Sequence, residues 1–338
     1  MPDSSLALLI LIIVLSVGFA IVNGFNDAAN AIAPAIGARS ISPRNAIALA
    51  AVGNFAGACT GIAVAHTIGK GILVPEAISF SAVIAALASI IIWGTLATYM
   101  GLPISLHHGF IAGLAAAGMA VSGTDAVVWN VMGQILAAVI IAPLLGFVGG
   151  YAAMIGIYWI FRRVTPDRIR TIFSNGQYLT TAFMAYSHGK NDGQMPIGVI
   201  AMALVIFYND TTLWDRLSIS SPETWWIILV PALSISLGTA LGGKRVIKTM
   251  GMRVTTLRPV NGFTTQAAAA TVIEIASALG IPVSTTHLIS ASTMGVGATA
   301  RFSAVRWGIA GNIIAAWVLT FPICGVLGYF FSWLLHMI

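Results

Sequence analysis

Asparagine followed by aspartate occurs twice inside long apolar stretches of this chain. Asn26-Asp27 lies in GFNDAANAIAPAIG (residues 24–37), and Asn191-Asp192 lies in GKNDGQMPIGVIAM (residues 189–202), 165 residues further on. A carboxylate surrounded by hydrocarbon costs several kcal/mol, so such a residue normally faces a wet cavity and binds or relays something. One buried aspartate is compatible with a helix cap or a structural pair. Two, each in Gly-x-Asn-Asp, point to a site for a cation or a proton. Each motif is expected to unwind its helix near mid-membrane and to expose backbone groups to a ligand. Histidines aside, the ionisable residues within apolar spans are Asp27, Lys190, Asp192 and Glu274.

A second pair of motifs supplies donors. GLPISLHH (residues 101–108) and GIPVSTTH (residues 280–287) both read Gly-x-Pro-x-Ser-x-x-His. A helix starting just after such a proline presents free backbone N–H groups, which attract anions. Ser105, Ser284, Thr285 and Thr286 add hydroxyls there. A tetrahedral oxyanion needs many donors and little apolar wall. A lone serine would be read as bonding its own helix or a neighbouring one; four hydroxyls in two matched loops favour a ligand. His108 and His287 are each either a proton carrier or a brace for the loop. Glu274, eight residues before Pro282, is a cation ligand, a proton relay or the partner of a nearby base. Asn54 and Gln266 read as helix–helix hydrogen-bonding residues.

The elements that must carry these motifs are membrane spans. The chain is 58% hydrophobic and 8% charged, against roughly 25% charged residues in a soluble domain. Apolar runs of bilayer-crossing length recur at 6–22, 46–65, 77–100, 126–160, 225–241 and 308–335. This predicts an all-α polytopic membrane protein with about ten spans and excludes a β-barrel, which would alternate in short segments. The first run has no basic leader and continues into the first Asn-Asp motif, so it is expected to be a mature helix. Cys59 and Cys324 lie in apolar runs without metal-ligand spacing and are expected to pack. The net charge of +6 comes from short basic loops that set topology, not from a nucleic-acid-binding patch. Those loops, at 39–44, 162–170, 244–258 and 301–306, are predicted to be cytoplasmic.

Followed through these loops, the first Asn-Asp span runs inward and the second runs outward. Repeated motifs with reversed direction are the pattern of two inverted-topology repeats with broken helices. The predicted division is 1–161 for the first repeat, 162–177 for a basic cytoplasmic linker and 178–338 for the second repeat. The chain has no nucleotide loop, metal-ligand cluster or soluble domain, so an enzyme is not expected. A channel is disfavoured because the polar residues gather at two breaks rather than lining a continuous path.

These motifs resemble the inorganic phosphate transporter (PiT) family over nearly the whole chain. Residues 24–31 are similar to its first signature and residues 187–194 to its second, while 257–263 and 282–287 look like its C-terminal stretch. The resemblance implies a secondary symporter for inorganic phosphate, driven by protons or sodium, in the cytoplasmic (inner) membrane. It also implies re-entrant hairpins and a homodimer. Carried onto this sequence, Asn26, Asp27, Asn191 and Asp192 line the central site. Ser105, Ser284, Thr285 and Thr286 donate to phosphate, and Asn30 and Gln194 complete the shell. The substrate is phosphate, free or as a metal–phosphate complex, and the only cofactor is the coupling cation. Three departures stand out. Asn54 and Gln266 occupy places where many members carry glutamate, which resembles the low-affinity, proton-coupled branch. The first hairpin offers fewer hydroxyls than usual. Lys190 stands where the family has a small residue and would bring a fixed positive charge to the anion site. The alternative reading is the same fold carrying another oxyanion such as sulfate.

Overall fold

A computed structural model describes residues 5–74 and 77–337. The chain ends at 1–4 and 338, and Pro75-Glu76 in the first predicted repeat, lie outside the described residues. The described residues are helical throughout, apart from loops and one isolated bridge between Leu73 and Val127.

The first half holds α1 (Leu6–Gly37), α2 (Pro43–Ala58), α3 (Ala63–Gly71), α4 (Phe80–Met100), α5 (Leu106–Ser122) and α6 (Trp129–Phe161). The second holds α7 (Pro166–Asp192), α8 (Gln194–Tyr208), the short α9 (Leu213–Arg216), α10 (Trp225–Leu241), α11 (Lys244–Lys248), α12 (Pro259–Ala278), α13 (Thr285–Ala298) and α14 (Trp307–Met337). The order repeats. A long motif-bearing segment (α1; α7–α8) is followed by a bent pair (α2–α3; α10–α11), a helical hairpin (α4–α5; α12–α13) and a long closing helix (α6; α14). The bent pairs turn by 70° and 61°. Counting each hairpin as two crossings or as none leaves an odd number per half, so the second half starts from the opposite face.

Among the described residues, five helical segments are long and apolar enough to cross a membrane, or seven if each bent pair is one span. The expected figure of about ten spans therefore includes the hairpin helices. With 17 and 14 residues, α5 and α13 reach only about 26 and 21 Å at 1.5 Å per residue, short of the roughly 30 Å hydrocarbon core. They are buried between other helices and need not span it.

The halves interlock. α10 packs on α1 and α2 on α7, while α14 packs on α5 and α13 on α6. The signature glycines explain the first two contacts. A Cβ added at Gly24 would lie 2.2 Å from the Ile235 carbonyl oxygen, and one at Gly189 would lie 2.2 Å from that of Asn54. Only glycine lets those backbones touch. The motifs were expected to unwind their helices, and here the structure differs. α1 stays helical through Asn26-Asp27, and the second segment has only a one-residue step at Gly193 before α8. The breaks fall instead in the bent pairs. Pro34, inside α1, has no N–H and so leaves the Asn30 carbonyl without its helical donor.

Each hairpin turns on a left-handed glycine, Gly101 (φ 75°) and Gly280 (φ 70°), a conformation that residues with a Cβ adopt only with strain. A threonine from the opposite half's bent pair holds each turn. Thr249 Oγ1, in the turn that continues α11, donates to the Gly101 carbonyl at 2.9 Å, and Thr67 Oγ1 on α3 donates to the Gly280 carbonyl at 2.7 Å. Two indole hydrogen bonds between the first hairpin and α14 fasten it as well. Trp317 Nε1 donates to the Pro103 carbonyl at 3.2 Å, and Trp93 Nε1 on α4 donates to Thr320 Oγ1 at 3.1 Å.

Candidate functional site

The interlocked halves bring the two Asn-Asp motifs and the starts of α5 and α13 to one place. Asp27 is 2% exposed and Asp192 is 0% exposed. One ligand atom each from Asp27, His188 and Asp192 lies within 4.8 Å of the others. Asp192 is the hub. Its Oδ2 accepts from Asn23 Nδ2 at 3.2 Å and from Thr285 Oγ1 at 3.4 Å, and its Oδ1 accepts from Asn191 Nδ2 at 2.9 Å. Two imidazole nitrogens flank the same Oδ2, His188 Nε2 at 3.4 Å and His107 Nδ1 at 3.6 Å. Asp27 Oδ1 accepts from Thr286 Oγ1 at 2.8 Å, and Thr286 Oγ1 in turn accepts from Asn30 Nδ2 at 2.8 Å. Both carboxylates are thus fastened to the first turn of α13.

The anion-binding half is built from helix starts. Ser105 caps α5 by accepting the His108 N–H at 3.3 Å, and Ser284 caps α13 by accepting the His287 N–H at 3.1 Å. Such caps pin the first turn while its remaining N–H groups point outward. Asn191 Nδ2 also donates to the Val283 carbonyl at 2.8 Å, and its Oδ1 accepts from Ser277 at 3.3 Å, tying α7 to the second hairpin. Asn26 Nδ2 donates to Thr98 Oγ1, tying α1 to the first hairpin. The side-chain amide oxygens (Oδ1) of Asn23, Asn26 and Asn30 are buried without a hydrogen-bond partner. Buried polar groups are normally paired, so a cluster of unpaired ones around two carboxylates is a set of groups that a ligand would complete.

Asn26, Asp27, Asn30, Asn191, Asp192, Ser105, Ser284, Thr285 and Thr286 therefore gather at this site or at the helix starts that form it. The other predicted site residues lie differently. Lys190 is paired with Glu274, at 18% and 28% side-chain exposure, away from the carboxylate pair. Gln194 Oε1 accepts from the N–H groups of Val64 and Ala65 at 2.8 and 3.2 Å, and so holds the start of α3. His108 and His287 face each other with centroids 4.9 Å apart, stacked on Phe321 and Trp317 of α14. Asn54 bonds Thr239 at 2.8 Å and His188 at 2.7 Å, and Gln266 bonds Thr180, Thr181 and the Ala31 carbonyl, as expected for helix–helix bonding.

The sequence reading did not select Asn23, Thr98, His107 and His188. For two of them the signal was spacing: Asn23 and His188 each precede their motif aspartate by four residues, one helical turn, on the same face. His107 is the neighbour of the selected His108, and only the helix phase of α5 decides which of the two faces Asp192.

The Lys190–Glu274 contact gives a direct expectation. Lys190→Met and Glu274→Gln should each lower thermal stability, with a coupling of about 0.5–3 kcal/mol in a double-mutant cycle. Strictly additive losses would show that the contact contributes nothing.

Comparison with known proteins places this geometry in context. Residues 23–328 match a family model described as the phosphate transporter family. The chain is 37% identical over 338 residues to a Bacillus subtilis protein named "Probable low-affinity inorganic phosphate transporter", covering 99% of each. A Rhizobium meliloti protein with the same name is 37% identical over 323 residues, with 95% of each covered. A solved structure titled "The sodium-dependent phosphate transporter" is similar with a TM-score of 0.89 at 25% identity, over 98% of this chain and 100% of that one.

Proposed function

Because the chain belongs to the phosphate transporter family, we propose that it is a proton-coupled symporter importing inorganic phosphate across the cytoplasmic membrane. It is a multi-pass secondary transporter working by alternating access, not an enzyme. The observation that supports the coupling is the Asp27–His188–Asp192 group, two carboxylates and an imidazole within 4.8 Å in a buried site. Two such carboxylates cannot both stay charged without a compensating cation or proton. An imidazole nitrogen in the group suits a proton better than sodium, since hard cations take oxygen ligands.

In this reading phosphate lies between the starts of α5 and α13. Ser105, Ser284, Thr285, Thr286, Asn26 and Asn191 orient it, and the helix dipoles supply positive potential. A proton on the Asp27–Asp192 pair removes the repulsion that the anion would otherwise meet. Loading the anion and the proton therefore favour each other, which is the thermodynamic content of coupling. The aspartates are at most 2% exposed, as in an occluded stage of the cycle. Residues 1–161 and 178–338 act as the two inverted units. Residues 162–177 connect them, with 166–177 forming the first turns of α7. Lys190 is a partner of Glu274 that an arriving anion can recruit, rather than a fixed member of the shell.

Uptake of radiolabelled phosphate into proteoliposomes tests this, with imposed proton and sodium gradients applied separately and excess unlabelled sulfate as competitor. The expected result is uptake driven by the proton gradient and unaffected by sulfate. Sodium-driven uptake would show that Asn54 and Gln266 do not set the coupling ion. Sulfate uptake without phosphate uptake would transfer the site to the other oxyanion.

A further inference from the structure

On α7 the buried polar groups that the central site leaves unused fall on one line with His188, which it uses. α7 carries Gln177, Thr180, Thr181, Ser187 and His188 on the face that ends at Asp192, all of them 5% exposed or less. Their spacing keeps them on one side of the helix. At 1.5 Å per residue Gln177 lies about 22 Å from Asp192 and about 16 Å from the start of α7 at Pro166, beside the basic residues 162–170. Several members of this face have no partner. Both amide atoms of Gln177 are unbonded, as is the hydroxyl of Ser187. The Thr180 and Thr181 hydroxyls donate to Gln266 Oε1 at 3.1 and 3.2 Å; Thr180 also reaches the Gln177 backbone carbonyl at 3.3 Å, and Thr181 accepts from Gln266 Nε2 at 3.0 Å. A fold that keeps a buried amide unpaired at both ends pays for it unless another state of the molecule hydrates that group.

What covers this face is thin. A Cβ added at Gly262 of α12 would lie 2.0 Å from Gln177 Nε2 and 2.8 Å from the Pro34 carbonyl oxygen of α1. The backbones of α12 and α1 therefore close over Gln177 with no side chain between. One turn closer to the basic loop, Phe173 lies edge-on between Phe161 and Phe263, with centroids 5.1 and 5.0 Å apart. α1 carries the counterpart: Ser16, Asn23, Asn26 and Asp27 precede Thr181, His188, Asn191 and Asp192 by the same 165 residues. They are buried, with the Ser16 hydroxyl and the side-chain Oδ1 atoms of Asn23 and Asn26 unpaired. Because the halves are inverted, the two faces lead from the central site toward opposite sides of the membrane.

We propose that the polar face of α7 is the cytoplasmic half of the phosphate path, with Gln177 its outermost polar station and Phe173–Phe263 its gate. The Ser16–Asn23 face of α1 is the external half. This rests on the transport reading above. Cysteine accessibility tests it in a Cys59→Ser/Cys324→Ser background, with a membrane-impermeant thiol reagent applied to right-side-out and inside-out vesicles. Gln177→Cys and Thr181→Cys are expected to react about tenfold faster from the cytoplasmic side, reactivity following access, and to lose uptake on modification. Saturating phosphate should change that rate by shifting the population of open states. Ser16→Cys should show the opposite sidedness. Separately, Gln177→Leu should slow uptake about tenfold with phosphate binding unchanged. The path is overturned if Thr181→Cys transports yet reacts equally slowly from both sides, or if Gln177→Leu transports at the normal rate. Should Gln177→Cys fail to insert, Thr181→Cys and Ser16→Cys carry the same sidedness comparison. Sided labelling does not require phosphate as cargo, so an unaltered protein that takes up none would overturn the function and leave the path standing.

Discussion

Asp192→Asn is expected to lower phosphate uptake about 100-fold or more, while the protein still inserts and remains monodisperse in detergent. The substitution keeps the shape of the side chain but turns one acceptor oxygen into an N–H donor. Asp192 accepts from Asn23, Asn191 and Thr285, so the new amide would face existing donors with nothing to give them. It also removes the carboxylate between His188 and His107, and with it the group to which the proposed mechanism assigns the coupling proton. Asp27→Asn should act in the same direction through Thr286, whose hydroxyl joins it to Asn30. Phosphate exchange without a gradient separates the two possible defects. A variant that exchanges but does not accumulate has lost coupling, and one that does neither has lost binding. Normal gradient-driven uptake by either variant would remove the carboxylate pair from the centre of the mechanism.

Gly189→Val is the second large effect, and it acts on assembly. The expected outcome is loss of nearly all folded protein, read by size-exclusion chromatography of a fluorescent fusion. A Cβ at this position would meet the Asn54 carbonyl oxygen at 2.2 Å and the Asn54 Cα at 2.6 Å, so α2 and α7 must separate. Overpacking typically costs about 1–3 kcal/mol, more when backbone must move, and here it also displaces Asn54 from His188 and Thr239. Gly24→Val should behave alike against Ile235 on α10. Gly133→Ala is the contrast. Nothing lies within 4 Å of a Cβ there, and alanine is favoured over glycine in a helix by about 1 kcal/mol. That variant should be as stable as the parent or more so. A well-assembled Gly189→Val protein would show that the α2–α7 contact is not needed to hold the halves together.

Much of this was legible before any coordinates. Apolar run length and charge poverty determine a helical membrane protein, because hydrocarbon tolerates only backbones that bond internally. The repeated Gly-x-Asn-Asp and Gly-x-Pro-x-Ser-x-x-His motifs determine two related halves, and the basic loops reverse their direction. Of the candidate site residues, Asp27 and Asp192 are marked by charges improbable in such surroundings and Thr285 and Thr286 by hydroxyls just after Pro282, whereas Asn30 follows only from the resemblance to the transporter family. What the tertiary structure decided is who faces whom. Glycine in the signature could mean an unwound turn or a close helix contact; at Gly24 and Gly189 it is the contact, since the neighbouring helix comes from the other half of the chain. Lys190 is next to Asn191 in sequence, which alone would bring its charge to the anion, but helix phase turns it toward Glu274 on α12. His107 and His108 were indistinguishable by type and adjacent in sequence. One now flanks Asp192 and the other stacks on Phe321. Residue type states what a side chain can do. Direction along a helix and packing between distant segments state to whom it does it, and those depend on contacts between residues 84 to more than 200 positions apart that no local pattern encodes.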